Sequence, residues 1–172
     1  MIYLCIKYRP WSNLKTVFQI LIGSIVIGTA SLSFAESYDR SGFNYRSYKP
    51  STSIGFYTNQ FCDFINIDHV VSLKDAYESG AASWGASKKE FFANDTSNHV
   101  PSCGPVNSSK GSEGPSEFLR RSNDGRGLEY DIVKFCEYVQ KYYEVKVKCG
   151  LSLEGNDKNI FSGCSPYFLK VT

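Results

Sequence analysis

Asn66-Ile67-Asp68-His69-Val70-Val71-Ser72-Leu73 is the stretch on which the reading of this chain turns. Around it, Phe64 to Val71 alternates and carries the β-branched Ile65, Ile67, Val70 and Val71, which predicts a strand. Ser72-Leu73-Lys74-Asp75 then offers a helix cap, and Gly80 ends a short helix. A carboxylate and an imidazole thus stand side by side near a strand end. Adjacent strand residues point to opposite faces, so Asp68 and His69 serve one centre only where the strand twists or bulges. Taken alone, the pair fits a packed or surface histidine far more readily than a reactive one.

Working outward, Ser87-Lys88-Lys89-Glu90 has the three-residue spacing of a capping box, opening a helix through Phe91 and Phe92 to about Asn94-Asp95. His99 to Cys103 reads as a short return strand ended by Gly104-Pro105, with a polar helix or turn over Val106 to Gly111. Pro115 is placed to begin another short helix through Phe118 and Leu119. Leu128, Ile132, Phe135, Cys136, Val139, Tyr142 and Tyr143 recur at three and four, predicting a long packing helix over Leu128 to Lys148 with Gly150 at its C′ position. Residues 36–60, rich in Tyr, Ser, Gly and Asn, read as an irregular arm, and 151–172 as a tail of weak signals. The fold class expected is α+β.

The first 35 residues differ in kind. Lys7, Arg9 and Lys15 precede an uncharged run from Thr16 to Ala35 that closes on Ser33-Phe34-Ala35, the order of a secretory signal peptide. The run is also just long enough to span a bilayer, but Gln19, Ser24, Thr29, Ser31 and Ser33 make it a poor span. Three of the 19 Lys/Arg lie in it and all 17 acidic residues follow it, so residues 36–172 carry 16 positive against 17 negative charges, a net −1. A chain-wide basic field for nucleic acid is absent. Cys62, Cys103, Cys136, Cys149 and Cys164 remain, an odd number that leaves one thiol over in an oxidising compartment. Cys136 and Cys149 are roughly 20 Å apart on one helix and do not bridge. Cys149 with Cys164 and Cys62 with Cys103 are the pairings expected, and the lack of C-x-x-C spacing argues against structural zinc.

The two histidines are His69 and His99. A strand bearing Asp68-His69-Val70-Val71-Ser72-Leu73 is followed by Glu78-Ser79-Gly80-Ala81-Ala82-Ser83-Trp84, Phe92-Ala93-Asn94-Asp95 and, beyond the return strand, Asn107-Ser108-Ser109-Lys110-Gly111. Over residues 62–120 these four ordered motifs resemble the HNH (ββα-metal) endonuclease family, in particular its secreted branch and the C-terminal domain type of the GmrSD restriction enzymes. The resemblance implies a ββα-metal core over 61–150 with additional helices, His69 as general base, and Asp68 and Asn107 as ligands of one divalent ion. It makes Asn98 the turn-bracing asparagine, although a plain loop amide fits equally. His99 replaces the apolar residue usual there and is either a surface histidine or a second metal contact.

That chemistry suits these residue types. A neutral imidazole takes a proton from water near neutral pH, and a hard cation held through oxygen polarises a phosphoryl group. The oxygen-rich set favours Mg2+ or Mn2+ over zinc. Lys110, Lys88, Lys89, Arg120, Arg121 and Arg126 are candidate phosphate contacts, each equally readable as a solvated charge. The partner expected is nucleic acid, DNA before RNA, with little sequence specificity, met outside the cell or in a periplasm and without stable membrane association. Asn94-Asp95-Thr96 and Asn107-Ser108-Ser109 match the glycosylation pattern, and a glycan on Asn107 would block the ligand; a bacterial or phage origin follows, or an unmodified Asn107. Two alternatives compete. One is a catalytically inactive HNH-fold protein that binds metal or nucleic acid; the other is a disulfide-stapled interaction domain, which leaves the Asp-His and Asn-Ser-Ser-Lys motifs unexplained.

Overall fold

The computed structural model describes residues 37–118, 132–156 and 158–164. The expected leader, Leu119 to Asp131, and the tail beyond Cys164 lie outside them. The fold is α+β, a two-stranded sheet set among short helices.

Strand β1 (Ile65–His69) pairs antiparallel with β2 (His99–Cys103) in an unbroken register from Ile65↔Cys103 to His69↔His99. β1 stops two residues short of the expected Val71. Val70 and Val71 still pack in the core, fully buried, but their backbone is held by Asn98 rather than by a ladder. Between the strands lie α1 (Leu73–Glu78) and α2 (Ala86–Asn94). Ser72 caps α1 as expected, its hydroxyl accepting from Asp75 N–H at 3.0 Å. The capping box at Ser87 does not form. Gly85 is the N-cap, so Ser87 already lies inside α2, and Glu90 binds Arg46 of the arm at 2.6 Å.

Helix α3 (Gly104–Lys110) follows β2 without a loop, with Pro105 in its first turn, where no backbone donor is needed. α4 (Pro115–Phe118) begins at the expected proline. The long helix α5 (Phe135–Cys149) starts later than expected: Ile132, Val133 and Lys134 are non-helical, and Lys134 N–H reaches the Tyr57 carbonyl at 3.2 Å. Gly150 closes α5 with φ 69°, the left-handed conformation that glycine adopts without a Cβ clash. α6 (Lys158–Gly163) was not expected.

The arm is irregular but built into the core. Phe43 and Tyr57 are fully buried, Phe43 against Phe92. Tyr57, Phe118 and Tyr138 pack edge-to-face at 5.1–5.6 Å, each pair adding about 0.5–1.5 kcal/mol beyond its area burial. Lys146 of α5 is buried against Asp75 of α1 at 2.6 Å and contacts Ser79, with Tyr142 donating to the same carboxylate at 2.8 Å.

The disulfide Cys62–Cys103 forms as expected and ties the approach of β1 to the end of β2. Gly55 lies against it; a Cβ there would come within 2.8 Å of Cys103 Sγ. The expected Cys149–Cys164 bridge is replaced by Cys136–Cys164, because α6 folds back toward the start of α5 rather than its end. Nor is a thiol left over: no cysteine among the described residues is free.

Candidate functional site

Asp68 and His69 are both buried at the end of β1, and their environments differ sharply. Asp68 faces inward, where the Tyr57 hydroxyl donates to Oδ2 at 2.5 Å and Lys110 Nζ lies 3.2 Å from the same oxygen. Lys110, the last residue of α3, is fully buried and also donates to the His69 carbonyl at 2.9 Å. Burial pushes the Asp68 carboxyl above its ordinary value, against the opposing pull of the Lys110 charge and the Tyr57 hydroxyl. Burial likewise raises the Tyr57 phenol well above its usual range, reinforced by the Asp68 charge.

His69 lies on the other side. Its Nε2 is 2.8 Å from the Ala93 carbonyl, and His99 Nε2 is 3.0 Å from that oxygen and 3.2 Å from His69 Nε2. A carbonyl only accepts, so a ring nitrogen bonded to it carries the hydrogen. The shorter of the two carbonyl contacts, His69 Nε2 to Ala93, suits the Nε2–H tautomer of His69, which leaves a lone pair on Nδ1. Tyr45 and His99 set their rings across it, centroids 4.7 Å away in each case. Burial holds the imidazole down at about 3, helped by the charges of His99 and Arg40 and opposed by the Ala93 carbonyl. His69 is therefore neutral at any physiological pH. His99 is also shifted down by burial, and it is a partly buried neighbour of His69 rather than a surface histidine.

Asn98 holds this corner in place. Its side chain accepts from Val71 N–H at 2.8 Å and donates to Val71 C=O at 2.9 Å, while its own carbonyl takes Val70 N–H at 2.8 Å. It braces the backbone directly after His69, which makes it a positioning residue rather than one that meets a ligand.

Asp68, His69 and Asn107 line one cavity of about 360 Å3, joined by Tyr38, Arg40 and Ser112. The register contains no bulge. The opposed faces of Asp68 and His69 meet because β1 ends there and the cavity opens at that end. Asn107 is supplied from inside α3, so the strand–strand–helix order brings together residues 39 positions apart in sequence.

No family model matches the chain, and no solved structure matches it. An uncharacterized secreted protein of the fungus Arthroderma benhamiae is 34% identical over 97 residues, 55% of this chain. The chain spans 43% of that relative's length. The fungal source lends no support to the expected bacterial or phage origin.

The candidate phosphate contacts fall elsewhere than expected. Lys110 is internal, not on a solvated helix face. Lys88 lies over the Trp84 ring at 3.9 Å, and Lys89 sits 5.4 Å from the Tyr77 ring; neither lines the cavity. Arg120, Arg121 and Arg126 lie outside the described residues. The cavity instead presents Arg40 and Lys74, which the sequence did not single out. The signal available for Arg40 was the turn chemistry of Asp39-Arg40-Ser41-Gly42. Asp39 accepts from Ser41 N–H at 2.8 Å, and Asn44 ends the turn in the left-handed region.

Proposed function

We propose that this chain is an exported, metal-dependent endonuclease of the HNH (ββα-metal) type that hydrolyses phosphodiester bonds of nucleic acid, DNA before RNA. One observation carries the reading: a buried histidine held neutral shares a cavity with a carboxylate and a side-chain amide. Two antiparallel strands leading directly into a helix accord with it. Export is supported by the disulfides, which suit an oxidising compartment, and by the relative's description as secreted.

The donor set fits a hard divalent cation. Asp68 offers a carboxylate with lone pairs beyond those taken by Tyr57 and Lys110, Asn107 offers an amide oxygen, and the cavity has room for several waters. Among the described residues no three His, Cys, Asp or Glu are placed to hold a metal ion together, so a cation on Asp68 and Asn107 would have waters complete its shell, a habit of Mg2+ or Mn2+ rather than of zinc. When bound, such an ion polarises the phosphoryl oxygen and stabilises the leaving oxygen. The protein's part is acid–base. His69 Nδ1 takes the proton of the attacking water while Nε2–H stays on the Ala93 carbonyl, and burial guarantees the neutral form. A basicity as low as that of the free site makes a weak base. A phosphodiester anion entering the cavity favours the charged imidazolium, while the bound cation opposes it.

The second reading, a protein of the same fold that binds nucleic acid or metal without turnover, is favoured by Lys110, whose charge already balances Asp68. The test is nicking of plasmid DNA by purified protein over a metal panel with EDTA as control, alongside His69→Ala. Metal-dependent nicking lost in His69→Ala, with the thermal transition retained, supports the nuclease. Unchanged cleavage in that variant removes His69 from the mechanism, and binding without cleavage supports the second reading. A glycan on Asn107 of active protein would dismiss that residue as a ligand.

A further inference from the structure

The described residues contain a guanidinium with nothing anionic to hold it. Arg40 opens the short 3-10 turn Arg40–Phe43, lines the cavity beside Asp68, His69 and Asn107, and also walls an adjoining shallow groove with Asn44 and Tyr45. Among the described residues it pairs with no carboxylate. Its neighbour Asp39 shares the wall of that groove, but both its carboxylate oxygens are engaged by Ser41, at 2.8 and 2.5 Å. Arg46, six positions on, behaves as surface arginines usually do and binds Glu90 at 2.6 Å. Arg40 instead donates to the Tyr38 hydroxyl and lies 5.9 Å from the Tyr45 ring centroid, and its charge is felt at His69 and Tyr45 as well. Lys74, the other cation of the cavity wall, is 3.8 Å from Glu78.

We infer that Arg40 is the phosphate-binding residue of this cavity, its guanidinium engaging the non-bridging oxygens of a phosphodiester beside His69 and Asn107. A planar five-donor fork matches two phosphate oxygens at once, and no ion pair has to break first, only the contact with the neutral Tyr38 hydroxyl where that donor is used. The turn that carries it is closed at both ends, by the Asp39 side chain and by Asn44 with φ 46°, so the backbone from which the fork projects is set before ligand arrives. The groove on the far side of Arg40 continues the binding surface toward the arm, where a flanking nucleotide would lie. The arm, rather than the basic residues of 88–89 or 120–126, then supplies substrate affinity.

This inference rests on the phosphodiester reading of the site, and a binding measurement separates the two. The probes are thymidine 3′,5′-bisphosphate and inorganic phosphate, titrated calorimetrically into wild type, Arg40→Ala, Arg40→Lys and the control Lys89→Ala. Charged hydrogen bonds of this kind predict a Kd for the bisphosphate raised roughly ten- to a hundredfold in Arg40→Ala. Arg40→Lys should recover part of the affinity, and Lys89→Ala should match wild type. Because Arg40 is exposed, melting temperatures should be unchanged, so a loss of binding is not a loss of fold. Wild-type affinity in Arg40→Ala overturns the assignment, as does failure of wild type to bind either probe. Arg40-dependent binding in a protein that cuts no DNA keeps the anion site and removes the nuclease. DNA cleavage with KM and kcat unchanged in Arg40→Ala does the reverse.

Discussion

Replacing Lys110 with methionine separates a structural role for that side chain from a substrate-contacting one. Its ammonium lies 3.2 Å from Asp68 Oδ2 and 2.9 Å from the His69 carbonyl, with none of the residue exposed. Methionine keeps most of the volume, so the change removes charge rather than packing. The Asp68 carboxylate is then buried with the Tyr57 hydroxyl and the His69 backbone N–H as donors. Removing one partner of a buried pair costs about 3–5 kcal/mol. In a chain of this size that is a fall in Tm of roughly 10–20 °C. The cost should depend on pH with a definite sign. Burial already raises Asp68, and losing Lys110 raises it further, so the folded variant binds a proton that the unfolded chain releases above about pH 4. The variant's deficit therefore grows from pH 5 to pH 7. Thermal and urea unfolding at both values measure it, and Lys110→Met combined with Asp68→Asn should regain part of the loss. A single variant melting within about 3 °C of wild type at pH 7, with its defect confined to KM on DNA, would refute the buried-pair argument and return Lys110 to the substrate.

Asn98→Ala leaves both backbone groups of the fully buried Val71 without their side-chain partners, so equilibrium unfolding should show a loss of about 2–4 kcal/mol. Asn98→Asp should restore only the acceptor half. Opening Cys136–Cys164 by paired serine substitution frees a 28-residue loop and should cost on the order of 3–4 kcal/mol, read from the urea midpoint, with the cavity residues untouched. His69 titrates at about 3 when folded against about 6.5 unfolded, so the unfolded chain binds the extra proton between those values. Acidification through that window should cost wild type up to about 1.4 kcal/mol per pH unit more than His69→Gln, a slope that parallel melts at pH 4, 5 and 6 would reveal or deny.

Local chemistry explains which parts of this fold were legible. The return strand His99–Cys103, the Ser72 cap and the Gly150 stop all depend on residues within a few positions of one another, and each forms. Ser87 failed as a cap because Gly85, in an extended conformation, caps the helix two residues before it. Lys110 was opaque for a different reason. Within Asn107-Ser108-Ser109-Lys110-Gly111 it has the surroundings of a solvated lysine, and its burial follows from a carboxylate 42 residues away. Arg40 lies 28 residues ahead of Asp68 in an arm without periodicity, so no pattern links the two. The Cys136–Cys164 bridge depends on α6, a six-residue helix too short for an apolar stripe to show in the sequence.

Charge in the cavity runs opposite to charge in the chain. Residues 36–172 sum to −1, which on its own disfavours an anionic ligand. Inside the cavity Lys110 balances Asp68, His69 is neutral, and Arg40 remains as a positive charge without a counterpart among the described residues. Low-dielectric walls concentrate that local field, while scattered surface charges are screened beyond about 8–10 Å. The cavity is therefore set to receive an anion before a cation. A divalent ion arriving alone meets a carboxylate already paired, whereas one arriving with a phosphodiester gains the phosphate oxygens as further ligands. On the proposed nuclease reading, cation and phosphodiester should bind cooperatively, each raising the affinity of the other by the same factor, and titrating each in the presence and absence of the other measures that factor.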